Sequence, residues 1–300
     1  MAINTSGMEK KWLYLIVLSM IWGTSFILIK KGLVGLTQIQ LGSLRTVLTA
    51  IILFSVGLPT LKQIKKPQWK WIALSALFGT FFPAFLFAFA QKHIDSAVAS
   101  ILNSLTPLAT AVLGYLVFSI YTTRRQMIGV FIGLLGSIML IMAGAHINPH
   151  QNHWYGILVL IASVGYALNV NILKKYLNEL SPLAIATGNF VVIVIPALLI
   201  LIGTGYFDEI WTIPEVQVST GYIAILALFG TALAKILFNK MIQISSPVFA
   251  SSVTYTMPVV AVLWGIFDGE RFGWYQAISA LIVLFGVYLA NQRKGSGKKL

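Results

Sequence analysis

Apolar residues run along this chain in long blocks separated by short polar joints. A helix needs roughly 20 apolar residues to cross a bilayer. Ten stretches meet that length: 12–34, 38–58, 70–91, 96–118, 126–145, 154–174, 182–204, 219–240, 247–267 and 273–292. The longest joints are 59–69, 146–153 and 205–218, which leaves no room for an inserted soluble domain. The block from Trp12 to Val34 is long enough to span and lacks the short core and small-residue cleavage site of a signal peptide, so it predicts a retained first helix.

The blocks also repeat. Ala76-Leu77-Phe78-Gly79-Thr80 recurs 151 positions later as Ala227-Leu228-Phe229-Gly230-Thr231. At the same offset Ala99-Ser100 matches Ala250-Ser251, Pro107 matches Pro258 and Gly114 matches Gly265. With a one-residue shift, Gln126 matches Gln276 and Gly136 matches Gly286. Five spans per repeat is an odd number, so the second repeat must enter the membrane from the opposite side. The expected fold is an all-α membrane protein with ten transmembrane helices in two inverted five-helix repeats, 1–148 and 149–292, followed by a basic tail, 293–300. Inverted repeats of this kind mark transporters with a site near the midplane.

Composition agrees with a lipid-embedded chain. Hydrophobic residues make up 58% and charged residues 10%, against roughly 25% charged in soluble domains. The net charge of +13 does not imply nucleic acid, because basic residues of membrane proteins collect in cytoplasmic loops. With a cytoplasmic N-terminus, fifteen Lys and Arg fall on the cytoplasmic side and four on the other. Both termini are therefore expected to be cytoplasmic in a multi-pass plasma membrane protein. The absence of Cys removes disulfides, thiolate metal sites and Cys nucleophiles. No Walker-type loop and no nucleophile–His–acid set stands in the spans, so neither an ATP motor nor an enzyme is expected. His93, His146, His150 and His153 lie near joints without a carboxylate to complete a metal site. No cofactor and no metal are expected.

The order of residues resembles the drug/metabolite transporter superfamily, in its ten-helix EamA-type members. The resemblance rests on Trp22-Gly23, Phe26 and Lys30, then Arg45, then Ala99 to Pro107, then Pro258, Gly265, Gly269-Glu270-Arg271 and Gly286. It covers nearly the whole chain. Three departures stand out: Gln38 where a Pro is usual, Ser119-Ile120-Tyr121-Thr122 in place of a Gly-Glu element, and Lys235 where an uncharged residue is usual. The resemblance implies a bacterial inner-membrane exporter of small metabolites, a monomer or weak dimer whose partners are its solute and the bilayer.

Polar residues at helical spacing in an apolar span face protein or water rather than lipid. The fourth span carries Ser96, Ser100, Asn103 and Ser104 before Pro107; the ninth carries Ser251, Thr254 and Tyr255 before Pro258. Each Pro frees a carbonyl one turn earlier, and paired interruptions point to a transport site. Tight packing through small residues competes with that reading. In the eighth span Thr231, Lys235 and Asn239 share a face. A charge inside a span costs about 3 kcal/mol on insertion scales, so Lys235 either attracts an anionic group of a solute or snorkels to the surface. Trp22 and Phe26 in the first span, with Tyr166 and Asn169 in the sixth, form stripes suited to stacking on a solute or to aromatic packing. Phe81, beside Pro83, is expected to wall or gate the cavity. Arg45 is expected to be structural, bonding carbonyls or a helix end, and Lys30 and Lys31 to anchor the first span at the interface. No Asp or Glu lies deep in a span, which argues against proton-coupled export of cations.

The expected function is a secondary carrier for small organic metabolites, amino acids or related zwitterionic or anionic solutes, leaving the cell by alternating access. A vitamin, nucleotide-sugar or drug permease of the same fold is the first alternative. An intramembrane enzyme or lipid-handling protein is the alternative from another class.

Overall fold

The computed structural model describes residues 5–118, 124–147 and 152–291. The Ser119-Ile120-Tyr121-Thr122 departure, His150 and the tail 293–300 lie outside the described residues. The described residues are helical, with turns and short joints between.

Eight helical segments are long and apolar enough to cross a membrane: α1 Lys10–Gly32, α2 Gln38–Gln63, α3 Lys66–Gln91, α4 Ser96–Phe118, α6 His153–Tyr176, α7 Pro182–Gly203, α8 Pro214–Ile244 and α9 Pro247–Phe267. Two more helices, α5 Arg124–Ile147 and α10 Trp274–Asn291, carry the shorter apolar stretches Phe131–Leu140 and Trp274–Gly286. The joint expected at 205–218 is smaller than its sequence suggests. A short helix, Tyr206–Thr212, occupies half of it, and α8 starts at Pro214. Pro at the first position of a helix loses no hydrogen bond and presets φ.

Helix starts follow ordinary capping chemistry. Thr37 accepts from the Gln40 backbone N–H at 3.2 Å, and Gln40 Oε1 accepts from the Thr37 N–H at 2.9 Å. This capping box starts α2 without the Pro usual near that position. Ser181 and Ser246 cap α7 and α9, each followed by a Pro.

Four of the segments are irregular midway. A π-helical stretch spans Leu77–Phe81 in α3, and another spans Leu226–Leu233 in α8. The helix Ser96–Asn103 gives way at Ser104 and resumes at Thr106, so α4 is broken. In α9, a 3-10 stretch, Ser252–Tyr255, precedes the helix from Met257. The π stretches cover Leu77–Thr80 of the first Ala-Leu-Phe-Gly-Thr motif and all of the second, and the other two breaks lie just before Pro107 and Pro258. Pro107 has no N–H to give the Asn103 carbonyl; Thr106 Oγ1 donates to it instead at 2.8 Å.

Small residues set the closest approaches. A methyl group on Gly286 would stand 2.5 Å from the Gly133 nitrogen, and one on Gly136 would stand 2.7 Å from the Val283 nitrogen. These glycines let α5 and α10 pack backbone to backbone, which is how helices associate without a hydrophobic drive in lipid. The core of the bundle is built from Leu18, Leu41, Ile101, Leu102 and Ile185, all fully buried.

Candidate functional site

The irregular midpoints surround a cavity of about 110 Å³. It is lined from α1 by Trp22, Ser25, Phe26 and Ile29, and from α2 by Arg45. Gly79, Thr80 and Phe87 of α3 face it, as do Asn103 and Thr106 of α4 and Tyr166 and Asn169 of α6. Segments α8 and α9 close it with Gly230, Thr231, Lys235, Phe238, Asn239, Ser251, Thr254 and Met257.

The π stretch in α8 sets one wall. Wider turns shift each side chain around the axis and leave backbone carbonyls available. Trp22 Nε1 donates to the Gly230 carbonyl at 2.9 Å. Thr231 Oγ1 donates to the Leu226 carbonyl five residues back at 3.2 Å. The same hydroxyl accepts from Arg45 Nε at 2.8 Å. Among the described residues Arg45 bonds this hydroxyl rather than the carbonyls or helix end that its position suggests; it crosses from α2 to α8 and faces the cavity.

Lys235 is 9% exposed and does not snorkel to the surface. Asn189 of α7, with its amide oxygen toward Lys235, accepts from Nζ at 3.1 Å and donates to the Ile72 carbonyl at 3.1 Å. The same amide oxygen lies 3.2 Å from Ser75 Oγ, which is also 2.6 Å from Asn169 Oδ1, so the single Ser75 proton serves one of these two acceptors at a time. Neutral groups thus link Lys235 to the α6 wall. Asn189 and Ser75 carry the same signal as Asn103, a polar side chain inside an apolar span, although they do not line the cavity themselves.

Close glycines fix the opposite walls. A methyl group on Gly79 would fall on the Asn169 amide, and one on Gly230 would meet Ser25 Oγ at 2.6 Å. Gly79 and Gly230 are matched positions of the repeated motif, and Ser25 and Asn169 hold comparable places in α1 and α6.

Asn103 sits at the break in α4. Its Oδ1 accepts from Ser163 Oγ at 3.3 Å and from Thr106 Oγ1 at 3.2 Å, and its Nδ2 approaches Met257 Sδ at 3.8 Å. Aromatic rings complete the lining. Trp22 meets Phe238 edge-on at 4.9 Å, Phe26 meets Phe87 at 5.8 Å, and Phe87 stacks on Tyr166 at 6.0 Å. The hydroxyl of Thr80 is buried, without a partner among the described residues, beside the cavity.

Two expected lining residues lie elsewhere. Phe81 packs against Phe85 at 5.1 Å and Phe82 at 5.8 Å, because the π turn brings Gly79 and Thr80 to the cavity instead. Tyr255 ends the 3-10 stretch, whose tighter turn directs Val253 and Thr254 inward. Pro83, Pro107 and Pro258 are buried beside the irregular segments and do not line the cavity.

A second cluster closes the end of the bundle where α1 finishes. Lys30 Nζ lies 2.8 Å from Asp268 and 3.0 Å from Glu270, and Lys31 pairs with Asp268. The Glu270 carboxylate also accepts from the backbone N–H groups of Ser96 and Ala97, at 3.1 and 3.2 Å. It thereby caps α4. Lys30 and Lys31, expected as interfacial anchors, are tied to the joint after α9. Burial, the largest single influence, pushes the Asp268 carboxyl up; the hydrogen bonds and charges of Lys30 and Lys31 outweigh it and hold the group below the usual carboxylate range.

The chain is similar to known transporters over nearly all its length. It is 27% identical over 288 residues to the inner membrane transporter YedA of Escherichia coli strain K12, covering 93% of this chain and 90% of the relative. It is 24% identical to a probable amino-acid metabolite efflux pump of Salmonella typhimurium, covering 90% of each. It is 23% identical to an S-adenosylmethionine/S-adenosylhomocysteine transporter of Chlamydia muridarum, covering 88% of this chain and 86% of the relative. A solved crystal structure shares the fold at a TM-score of 0.66 and 15% identity, over 94% of this chain and 96% of that one. The sequence model of the EamA-like transporter family matches residues 10–142 and 153–292. The chain belongs to the EamA-like transporter family.

Proposed function

We propose that this transporter is a secondary carrier moving small organic metabolites, amino acids or related zwitterionic or anionic solutes, out of the cell by alternating access. The two halves, 1–148 and 149–292, are read as inverted five-helix repeats with α5 and α10 as the fifth and tenth spans. Both termini are read as cytoplasmic, in a bacterial inner membrane. The single observation that carries the proposal is the cavity, walled by aromatic rings and a few polar side chains, between the irregular midpoints of α3, α4, α8 and α9. Non-helical backbone at membrane depth is tolerated where it lines a cavity, and broken helices mark transport sites. The twofold match of the family model and the placement of the π stretches over the repeated motif support two equivalent halves. The relative named as an efflux pump supports export.

Size favours small solutes over a larger permease cargo. The cavity holds about 110 Å³, and a cavity of about 150 Å³ admits a benzene-sized guest. The cargo in the Chlamydia relative's name is considerably larger than that. The test is uptake into proteoliposomes across a solute panel, at two pH values, with and without a membrane potential. Movement of amino acids or small carboxylates is the expected result. Selective movement of nucleotide sugars or vitamins would favour the larger-cargo reading, and turnover of a substrate in detergent would favour an enzyme.

A further inference from the structure

We infer that the cavity seats the carboxylate of a small organic anion between Arg45 and Lys235, and that Asn189 positions Lys235 for it. The inference rests on the carrier reading above and narrows its zwitterionic-or-anionic class to anions.

Both cations face one wall. Arg45 is bonded to Thr231, and Lys235 follows Thr231 by four residues on α8, so the two charged heads converge on one stretch of helix. Each is held by a neutral partner, which leaves donors over. A guanidinium has five N–H donors, and among the described residues Arg45 uses only Nε. An ammonium has three, of which Asn189 takes one. The buried Thr80 hydroxyl adds another unpaired group beside the cavity.

Among the described residues the lining contains no Asp or Glu. Two buried basic groups without a counter-charge hold positive charge only at a cost, and a carboxylate meeting both offsets that cost through charge-assisted hydrogen bonds. An amino acid brings its ammonium into the same field with no acidic residue to receive it. The rest of the lining suits an apolar body, with Trp22 and Phe238 in edge contact and Phe26 against Phe87.

Asn189 acts through Lys235 rather than on the solute. Its backbone-anchored amide keeps the ammonium from turning away, and a neutral acceptor does so without cancelling the charge.

Three probes no larger than benzene separate the possibilities: propanoate, alanine and propanamide. Calorimetric binding to the full chain in nanodiscs is expected to favour the anion over the amide by about tenfold or more, the scale of one charge-assisted hydrogen bond, with alanine weaker than the anion. Arg45→Gln and Lys235→Met are each expected to remove that preference while leaving amide binding. Asn189→Asp is expected to weaken the anion alone, because the new carboxylate occupies Lys235; a merely structural role would weaken anion and amide together. Equal binding of the three probes, binding of none, or an anion preference that survives the Arg45→Gln/Lys235→Met double variant overturns the seat. Uptake of neutral metabolites without an anion preference also overturns it, and leaves the carrier reading standing. Failure of the proteoliposome solute panel as a whole, with protein that remains monodisperse, overturns the carrier reading itself.

Discussion

Arg45 and Thr231 are joined across the bundle by a 2.8 Å hydrogen bond, from Nε of α2 to the hydroxyl within the π stretch of α8. The Thr231 hydroxyl in turn donates a hydrogen bond to the Leu226 carbonyl, so one hydroxyl satisfies both the helix and the arginine. A charged group in a bundle core is tolerated where such partners receive it. The bond places the only charge of α2's membrane-depth stretch at the wall that also carries Lys235.

Thr231→Val keeps the shape of that wall and removes the acceptor. The buried guanidinium loses a partner, which costs about 1–3 kcal/mol. Thermal unfolding in detergent is expected to drop by several degrees, and transport is expected to fall with it. Thr231→Ser retains the hydroxyl and is expected to stay near the unaltered protein in both assays. Equal losses in the two variants would show that the methyl group, not the hydrogen bond, matters here.

Gly165 and Gly221 make a matched pair of tests for close packing. A methyl group on Gly165 would stand 2.8 Å from the Phe78 carbonyl oxygen, whereas one on Gly221 meets nothing within 4 Å. Phe78 belongs to the π stretch of α3, so its backbone cannot yield without moving the cavity wall. Gly165→Ala is expected to destabilise by about 1–3 kcal/mol, the usual cost of overpacking. Gly221→Ala is expected to be neutral or slightly stabilising, because it lies inside a helix with space around it. Melting temperatures of the two purified variants decide the matter.

The parts of this architecture that follow from local residue order were legible in the sequence. Apolar length marks a crossing helix directly, and Asn103, Tyr166, Asn169, Thr231 and Lys235 stood out as polar groups in apolar blocks and do meet at one cavity. Helical phase was less legible. Phe81 is expected at the cavity from its neighbour Pro83, and Tyr255 from an α-helical period; the π and 3-10 stretches there change which side chains turn inward, and neither residue lines the cavity. Partnership was not legible at all. Arg45 gains its place from Thr231, and Asn189 from Lys235; those pairings join distant helices and exist only once the bundle is packed.

Acid is expected to loosen the cluster at the end of α1. A carboxyl held below its ordinary value contributes stability above that value and loses it as pH falls through the folded-state value. Asp268 is such a group, held down by Lys30 and Lys31. Its contribution should be complete at neutral pH and decline below about pH 4. Asp268→Asn is expected to remove about 1 kcal/mol at neutral pH and to flatten that acidic decline. Melting temperatures measured from pH 7 down to pH 3 for both proteins test this; parallel curves would assign the decline to other carboxylates.

Glu270 offers the sharper test of the same end of the bundle. Its side chain is 2% exposed, it pairs with Lys30, and it receives the Ser96 and Ala97 N–H groups. One carboxylate therefore ties α1, the start of α4 and the joint after α9. Glu270→Gln keeps an oxygen for one of those donors and removes the charge from all three partners. The expected loss is about 2 kcal/mol, the scale of hydrogen bonds to a charged group. Lys30→Met leaves Glu270 its two backbone donors, so it is expected to cost less. In a double-mutant cycle the two substitutions should be non-additive, because each removes the same ion pair. Additive losses would show that Glu270 acts through the α4 cap alone, with Lys30 served by Asp268.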